Sequence, residues 1–226
     1  MTIQEYFGDW CRAVDLQEAN RIKNFLKGKR ICPNLKDVFS CFRHCPFNDL
    51  RVVFLGYDPY PNLVNGKPVA TGLAFANHKE TIEERYSPSL RVIKDSISHY
   101  LSWDKGINFD PSLEKWEKQG VLMLNSALSC SRGITGSHSL MWRPFTRSLL
   151  ENLSSFKTGL VYVLLGSAAQ SFEQYIRQDF NFIIKCRHPA YYARTHTIMP
   201  NIWKEINDIL ISQNGYGIEW FNQFKT

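Results

Sequence analysis

The sequence lacks the short motifs that mark several large enzyme classes. It contains no Walker A loop, no GxGxxG fingerprint, no GxSxG elbow and no HExxH pair. These absences argue against P-loop nucleotide chemistry, Rossmann-type dinucleotide binding, a serine nucleophile of the α/β-hydrolase type and a zincin metalloprotease. Any catalytic site of this chain must therefore be built from residues outside these four motifs.

Long hydrophobic runs are also absent. The longest apolar stretch, Leu160 to Leu165, is far shorter than the roughly 20 residues that span a bilayer. The start, "MTIQEYFGDW", has neither the basic nor the apolar region of a signal peptide. No repeat or low-complexity tract is present. We therefore expect no membrane association and a cytoplasmic location.

The cysteines do not follow a metal-binding signature. There are six of them: Cys11, Cys32, Cys41, Cys45, Cys130 and Cys186. The "CFRHC" stretch at 41–45 is suggestive, but its spacing fits no common zinc or iron–sulfur motif. A helix would place Cys41 and Cys45 on one face. We interpret these thiols as structural and reduced, and we predict no metal site.

Length and composition indicate an ordinary globular protein. The chain has 226 residues, of which 44% are hydrophobic, and we expect one domain over residues 1–226. Lysine and arginine exceed the acidic residues by 27 to 21, which gives a pI near 9.0. This mild excess is compatible with a polyanionic partner such as nucleic acid, but many unrelated proteins share it.

Apolar strands alternate with amphipathic helices along the chain. Strands are predicted at 51–55, 120–125, 160–165 and 181–186, and helices at 34–42, 87–101, 145–156, 168–176 and 201–213. Ser87 followed by Pro88 marks a helix start. The alternation predicts an α/β fold of three layers, α/β/α, around a central, mostly parallel four-stranded sheet.

Polar residues follow each predicted strand. Asp58 comes after the first strand, Asn125 ends the second, Gly166 and Ser167 follow the third, and His188 follows the fourth. Ligands of open parallel sheets bind at the carboxyl ends of the strands, so these groups are expected to converge. Each has an ordinary structural explanation when taken singly; their joint placement favours a functional site.

The residue types at these strand ends suggest chemistry on a flat ligand. Asp58 and His188 could form an acid–base or water-orienting pair. The amide of Asn125 can both donate and accept, as reading a base edge requires. Phe75 could stack on the ligand, and Pro59 and its neighbouring proline would hold the "DPYP" turn rigid.

These pieces, in this order, resemble the family 1 uracil-DNA glycosylases. The matching stretches are "GYDPYP" (56–61), "GLAF" (72–75), "SPSL" (87–90), "GVLMLN" (120–125), Ser137–His138, Gly166–Ser167 and "HPAYYA" (188–193). The similarity extends from about Cys32 to Trp220, which is most of the chain.

The resemblance implies a monofunctional, cofactor-free enzyme. It would flip uracil out of single- or double-stranded DNA and hydrolyse its N-glycosidic bond, leaving an abasic site. Asp58 would orient the water and stabilise the cationic sugar, and His188 would donate to the uracil O2. Asn125 would read the base edge, Phe75 would stack on the base, and Tyr60 would exclude thymine by crowding C5.

The resemblance also assigns DNA contacts. Backbone amides of Tyr57 and Asp58 would donate to the developing oxyanion. The remaining residues would contact the strand around the flipped nucleotide: Ser87, Ser89, Gly166, Ser167, Pro189, Tyr191 and Tyr192. A DNA-mimicking inhibitor protein could bind the same face. A monomer is expected.

Several positions depart from the family pattern. Tyr57 stands for a glutamine, Pro61 for a histidine and Ala190 for a serine, and Tyr192 takes the place of the intercalating leucine. The connection 61–71 is also longer than usual. We expect Tyr192 either to wedge into the gap in the DNA or to stack on a neighbouring base. Two alternatives stay open: a catalytically weak or inactive DNA-binding homologue, and a glycosylase that acts on another modified base.

Overall fold

The computed structural model describes residues 2–101 and 109–221. Within them the strands are β1 (Ile31–Cys32), β2 (Val52–Gly56), β3 (Leu63–Val64), β4 (Lys67–Pro68), β5 (Val121–Asn125), β6 (Cys130–Ser131), β7 (Val161–Leu165) and β8 (Phe182–Cys186). The α-helices are α1 (Ile3–Phe7), α2 (Leu16–Leu26), α3 (Pro88–Tyr100), α4 (Glu114–Glu117), α5 (Ser139–Phe156), α6 (Ser167–Gln170), α7 (Pro189–Thr195) and α8 (Ile202–Asn214).

The central sheet has the order β5-β2-β7-β8, and every neighbouring pair is parallel. Its register aligns Gly56 at the end of β2 with Asn125 at the end of β5. The carboxyl ends of all four strands therefore meet at one edge, as the sequence predicted. Two short antiparallel pairs, β1 with β6 and β3 with β4, stand apart from this sheet.

Alternating side chains of the strands enter two separate hydrophobic layers. Val53 and Leu55 pack in a layer with the buried residues of α2 and α5. Val52 and Phe54 pack on the other face with those of α3 and α8. Burial of both faces explains why these strands are continuously apolar. The predicted three-layer α/β/α fold is confirmed.

The four strands lie within one residue of their predicted bounds, but some helices differ. The segment 34–42 forms two 3-10 turns, Leu35–Asp37 and Ser40–Phe42, so the predicted helix is wrong. Apolar residues spaced three apart suit either geometry. Here the rings of Phe39 and Phe42 pack edge-on against Phe7, and this tertiary packing is what the short local pattern does not encode.

Two other helices have different extents from those predicted. Helix α5 begins at Ser139 and contains Pro144, whereas the sequence placed its start after that proline. The predicted helix 168–176 is divided into α6 and a 3-10 turn, Glu173–Tyr175. No helix in the described residues has the length and apolarity needed to cross a membrane.

The structure buries Cys41 and Cys45 in the core beside the sheet. Burial raises the pKa of both thiols. The carboxyl group of Glu117 lies near enough to contribute to these shifts. A structural role for the two cysteines fits these surroundings.

Glu117 is a buried carboxyl group at the end of α4. Its side chain is 0% exposed, and neither carboxyl oxygen has a hydrogen-bond partner among the described residues. Burial, followed by the neighbouring charge of Glu114, raises its pKa well above the ordinary value, and the backbone of Met123 opposes that rise. The fold therefore disfavours the charged form of this carboxyl group.

Replacing Glu117 with Gln is expected to raise the melting temperature, with a gain that increases with pH. The pKa of Glu117 is higher in the folded state than in the unfolded state. The stability of the unmodified protein is therefore intact below the unfolded-state pKa and falls as the pH rises towards the folded-state pKa. Each pH unit between these two pKa values lowers the free energy of unfolding of the unmodified protein by about 1.4 kcal/mol. Thermal unfolding at about pH 5 and about pH 8 measures this gain.

The exposed Glu80→Gln variant is the matched control, and it should show no pH-dependent gain. An equal change in both variants across this pH range would contradict the neutral, buried state of Glu117.

Candidate active site

A pocket of about 380 Å³ opens at the carboxyl edge of the central sheet. Its lining includes Tyr57, Asp58, Pro59, Tyr60, Pro61, Phe75, Ser89, Asn125, His188 and Ala190. The convergence predicted from the strand ends is therefore present for the groups after β2, β5 and β8. Apolar surface dominates the pocket wall, and few polar groups interrupt it, as is usual for a site that selects a small flat ligand.

A larger cleft, of about 670 Å³, lies among residues that precede β2 and β7. The guanidinium of Arg51 at this cleft already donates to the backbone carbonyls of Gln119, Tyr216 and Gly217. The N–H groups of Arg51 are used to hold chain segments together. We therefore consider the smaller pocket to be the candidate active site.

Gly56 makes room for the pocket's recognition groups. A Cβ at this position would lie 2.5 Å from Oδ1 of Asn125 and 2.9 Å from Cζ of Phe75. Both distances are shorter than real carbon contacts, so a side chain at residue 56 would displace Asn125 or Phe75. The strand β2 thus ends in a residue without a side chain where two other segments come together.

Phe75 is fixed in an unusual backbone conformation. Its φ is 65°, which lies in the left-handed region, and its ring centroid lies 5.6 Å from that of His188. The hydroxyl of Tyr60 donates to the Phe75 carbonyl oxygen over 3.0 Å. A strained residue held by its neighbours is a common feature of functional sites. The contact also fixes Tyr60 across the pocket.

One oxygen of the Asp58 carboxylate is held by the segment between β6 and α5. The backbone N–H of Gly136 donates to Oδ2 over 2.5 Å. A second bond, from Gly133 N–H to the Pro61 carbonyl over 2.9 Å, joins the same two segments. Burial raises the pKa of Asp58, and the Gly136 bond opposes that rise.

Tyr57 points towards the same segment. Its hydroxyl accepts from Oγ of Ser139 over 3.3 Å. Its carbonyl accepts from Ala127 N–H over 3.0 Å and from Ser126 Oγ over 2.7 Å. The side chain therefore forms part of the pocket wall beside Asp58.

The tautomer of His188 follows from its contacts. Its Nδ1 accepts from Ala190 N–H over 3.1 Å, so the proton of the neutral ring is on Nε2. Burial, followed by the positive charge of Arg194, lowers the pKa of His188. The absence of a side chain at Gly166 lets His188 lie close to it, since a Cβ at residue 166 would lie 2.9 Å from Cβ of His188. The result is a neutral N–H donor at the pocket.

Ser89 is among the residues that line the pocket, and Ser87 is the second residue before it in the chain. Ser87 was expected to cap α3, but its side chain makes no capping bond to the helix. Its hydroxyl instead accepts from Nδ2 of Asn77 over 2.7 Å, and its N–H donates to Oδ1 of Asn77 over 2.8 Å. Asn77, the second residue after the "GLAF" stretch, was not among the residues predicted from sequence.

The last group of predicted residues surrounds the start of α7. Ser167 is exposed beside Gly166, Pro189 is buried, and Tyr191 is half-buried. Tyr192 is only 8% exposed, and its hydroxyl lies 3.2 Å from Sγ of Cys186. Residues 189–195 form a helix, and this turns Tyr192 into the core. Tyr192 is therefore buried in this conformation, and its contact with DNA stays a prediction.

A family model described as the uracil DNA glycosylase superfamily matches residues 42–210. The chain belongs to this superfamily. Among curated relatives, the uracil-DNA glycosylase 1 of Listeria innocua is 34% identical over 223 residues, covering 96% of this chain and 91% of that protein. The uracil-DNA glycosylase of Campylobacter lari is 33% identical over 195 residues, with 86% and 81% covered.

Solved structures of this superfamily share the fold. The crystal structure of mimivirus uracil-DNA glycosylase superposes with a TM-score of 0.80 at 24% identity, covering 96% of this chain and 86% of that one. The protein from Nitratifractor salsuginis gives a TM-score of 0.61 at 20% identity, with 88% and 96% covered.

The His188 geometry predicts a specific nitrogen NMR titration. The ring should titrate with a midpoint below the ordinary value of 6.5, and its neutral form should carry the proton on Nε2. Arg194→Ala should raise the midpoint because a neighbouring positive charge is removed. Arg177→Ala, at the amino end of β8, is the control. A neutral form protonated on Nδ1 would contradict the assigned geometry.

Proposed function

We propose that this protein removes uracil from DNA by hydrolysing the N-glycosidic bond, which leaves an abasic site. The observation that supports this most is the convergence of Asp58, Phe75, Asn125 and His188 around one pocket of about 380 Å³. This set supplies a carboxylate, an aromatic ring, an amide and a neutral imidazole donor in a partly water-excluded space. It is the set that cleavage of a base from a sugar requires.

The two charged ends of the transition state have separate partners. As the bond between C1′ and N1 breaks, its electron pair stays on the uracil, and the sugar becomes cationic. The Asp58 carboxylate stabilises the sugar and accepts a proton from the attacking water as the water oxygen bonds to C1′. The Nε2–H of His188 donates to O2 of the uracil as negative charge develops there. Fixed groups of this kind commonly contribute a few kcal/mol each.

Recognition of the base uses three further side chains. The ring of Phe75 stacks on the uracil, and the amide of Asn125 pairs with its Watson–Crick edge. Tyr60, held by its bond to Phe75, occupies the space beside C5 and excludes the methyl group of thymine. The base reaches this pocket by rotation out of the stack.

Contacts with the DNA strand are assigned to the pocket rim. Ser87, Ser89, Gly166 and Ser167 would hold phosphates, and residues 189–192 would contact the strand beside the flipped nucleotide. The single domain, the monomeric state and the cytoplasmic location stay predictions. Variants of the mimivirus protein were solved in complex with UGI, and an inhibitor protein binding this face of our chain is a further prediction.

Tyr57 and Pro61 are the basis for two alternative functions. A non-catalytic DNA-binding protein would tolerate them, but it would not require Asp58 and His188 in the geometry described. A glycosylase for another base would require a different fit beside Tyr60. Each alternative differs from the proposed function in which base, if any, the protein releases from DNA.

The test is release of free base from oligonucleotides that carry uracil, thymine or another modified base, in the presence of EDTA. Uracil should be released, and thymine should stay in the strand. Asp58→Asn should lower the single-turnover rate by at least about a hundredfold, because the sugar cation loses its counter-charge. Chromatography of the released base gives the rate.

Asp179→Asn is the matched control, since Asp179 is an exposed carboxylate in the 3-10 turn before β8. Release of a different base would favour the modified-base glycosylase. Binding of DNA without release of any base would favour the non-catalytic protein.

A further inference from the structure

Arg187 is an exposed cation next to the pocket. It lies between the last residue of β8 and His188, so it stands at the edge of the sheet where the pocket opens. The neighbouring Lys185 already pairs with Glu173 over 3.1 Å. Among the described residues, Arg187 forms no ion pair with a carboxylate. Its charge is therefore available for a ligand at the pocket rim.

The side chain of Arg187 is held in place by an aromatic ring. Its guanidinium carbon lies 4.3 Å from the ring centroid of Tyr191 in α7. Stacking on a ring leaves the N–H edges of a guanidinium free while limiting the conformations of its chain. An arginine prepared in this way loses less conformational entropy when it binds an anion.

The neighbouring rim residue offers no side-chain donor. Ala190 lines the pocket two residues after His188, and an alanine side chain cannot donate a hydrogen bond. Arg187, the residue before His188, carries a charged, two-pronged donor.

We infer that Arg187, stacked on Tyr191, binds a phosphate of the DNA strand next to the flipped nucleotide. This inference rests on the proposed function for the identity of the strand. Phosphates repeat every 3.4 Å along each strand of duplex DNA, so one must lie near the rim when a nucleotide occupies the pocket. The contact positions the strand and does not select the base.

The test is the salt dependence of DNA binding, measured by fluorescence anisotropy with a labelled single strand that lacks uracil. Arg187→Ala should weaken binding by roughly three- to tenfold at low salt. It should also reduce the slope of log K against log salt by about 0.7, the value for one phosphate contact of a single strand. Arg187→Lys should keep the slope and lose part of the affinity.

Arg177→Ala is the matched control. Arg177 is also exposed and also stacks on a ring, with its guanidinium carbon 5.3 Å from the centroid of Phe180, but it lies before the amino end of β8. This variant should bind DNA like the unmodified protein. Tyr191→Ala should lose part of the affinity and keep the slope, because only the support of the charge is removed.

The outcomes separate this inference from the proposed function. An Arg187→Ala variant with unchanged affinity and slope would overturn the inference, even if uracil is released normally. If Arg187→Ala reduces the salt slope as expected but the unmodified protein releases no base, the phosphate contact is supported and the proposed function is overturned. A protein that does not bind DNA would overturn both.

Discussion

The pocket depends on the absence of a side chain at Gly56. The parallel register of β2 and β5 sets Asn125 beside this glycine, and the strained backbone of Phe75 directs its ring to the same point. Because a Cβ would overlap both groups, the Asn125 amide and the Phe75 ring can meet only at a glycine. The sheet therefore defines the site through backbone pairing, and the side chains complete it.

The Asp58 carboxylate is positioned from outside the sheet. Asp58 leaves β2 in a turn, and the segment that holds it, between β6 and α5, is distant in sequence. Gly136 binds one carboxylate oxygen, and Tyr57 packs against the same segment through Ser139. A divergent residue, Tyr57, thus contacts the same segment that holds Asp58 and lines the pocket beside it.

Much of this arrangement could be predicted from sequence because it depends on strong local patterns. Continuous apolar runs marked the four strands, and their ends marked Asp58, Asn125 and His188. The sequence did not reveal the Gly136 bond or the role of Asn77, since both depend on contacts between distant segments. The burial of Tyr192 was not evident from sequence for the same reason: its hydroxyl lies 3.2 Å from Sγ of Cys186, and helix α7 turns it inward.

The most direct measurement is the nitrogen NMR response of the Asn125 side-chain amide and of His188 Nε2 to free bases. The account predicts that uracil shifts both signals and that thymine shifts neither, because Tyr60 fills the space that the thymine methyl group would need. Unchanged signals with uracil, or equal shifts with thymine, would contradict a uracil-selective pocket at this edge of the sheet.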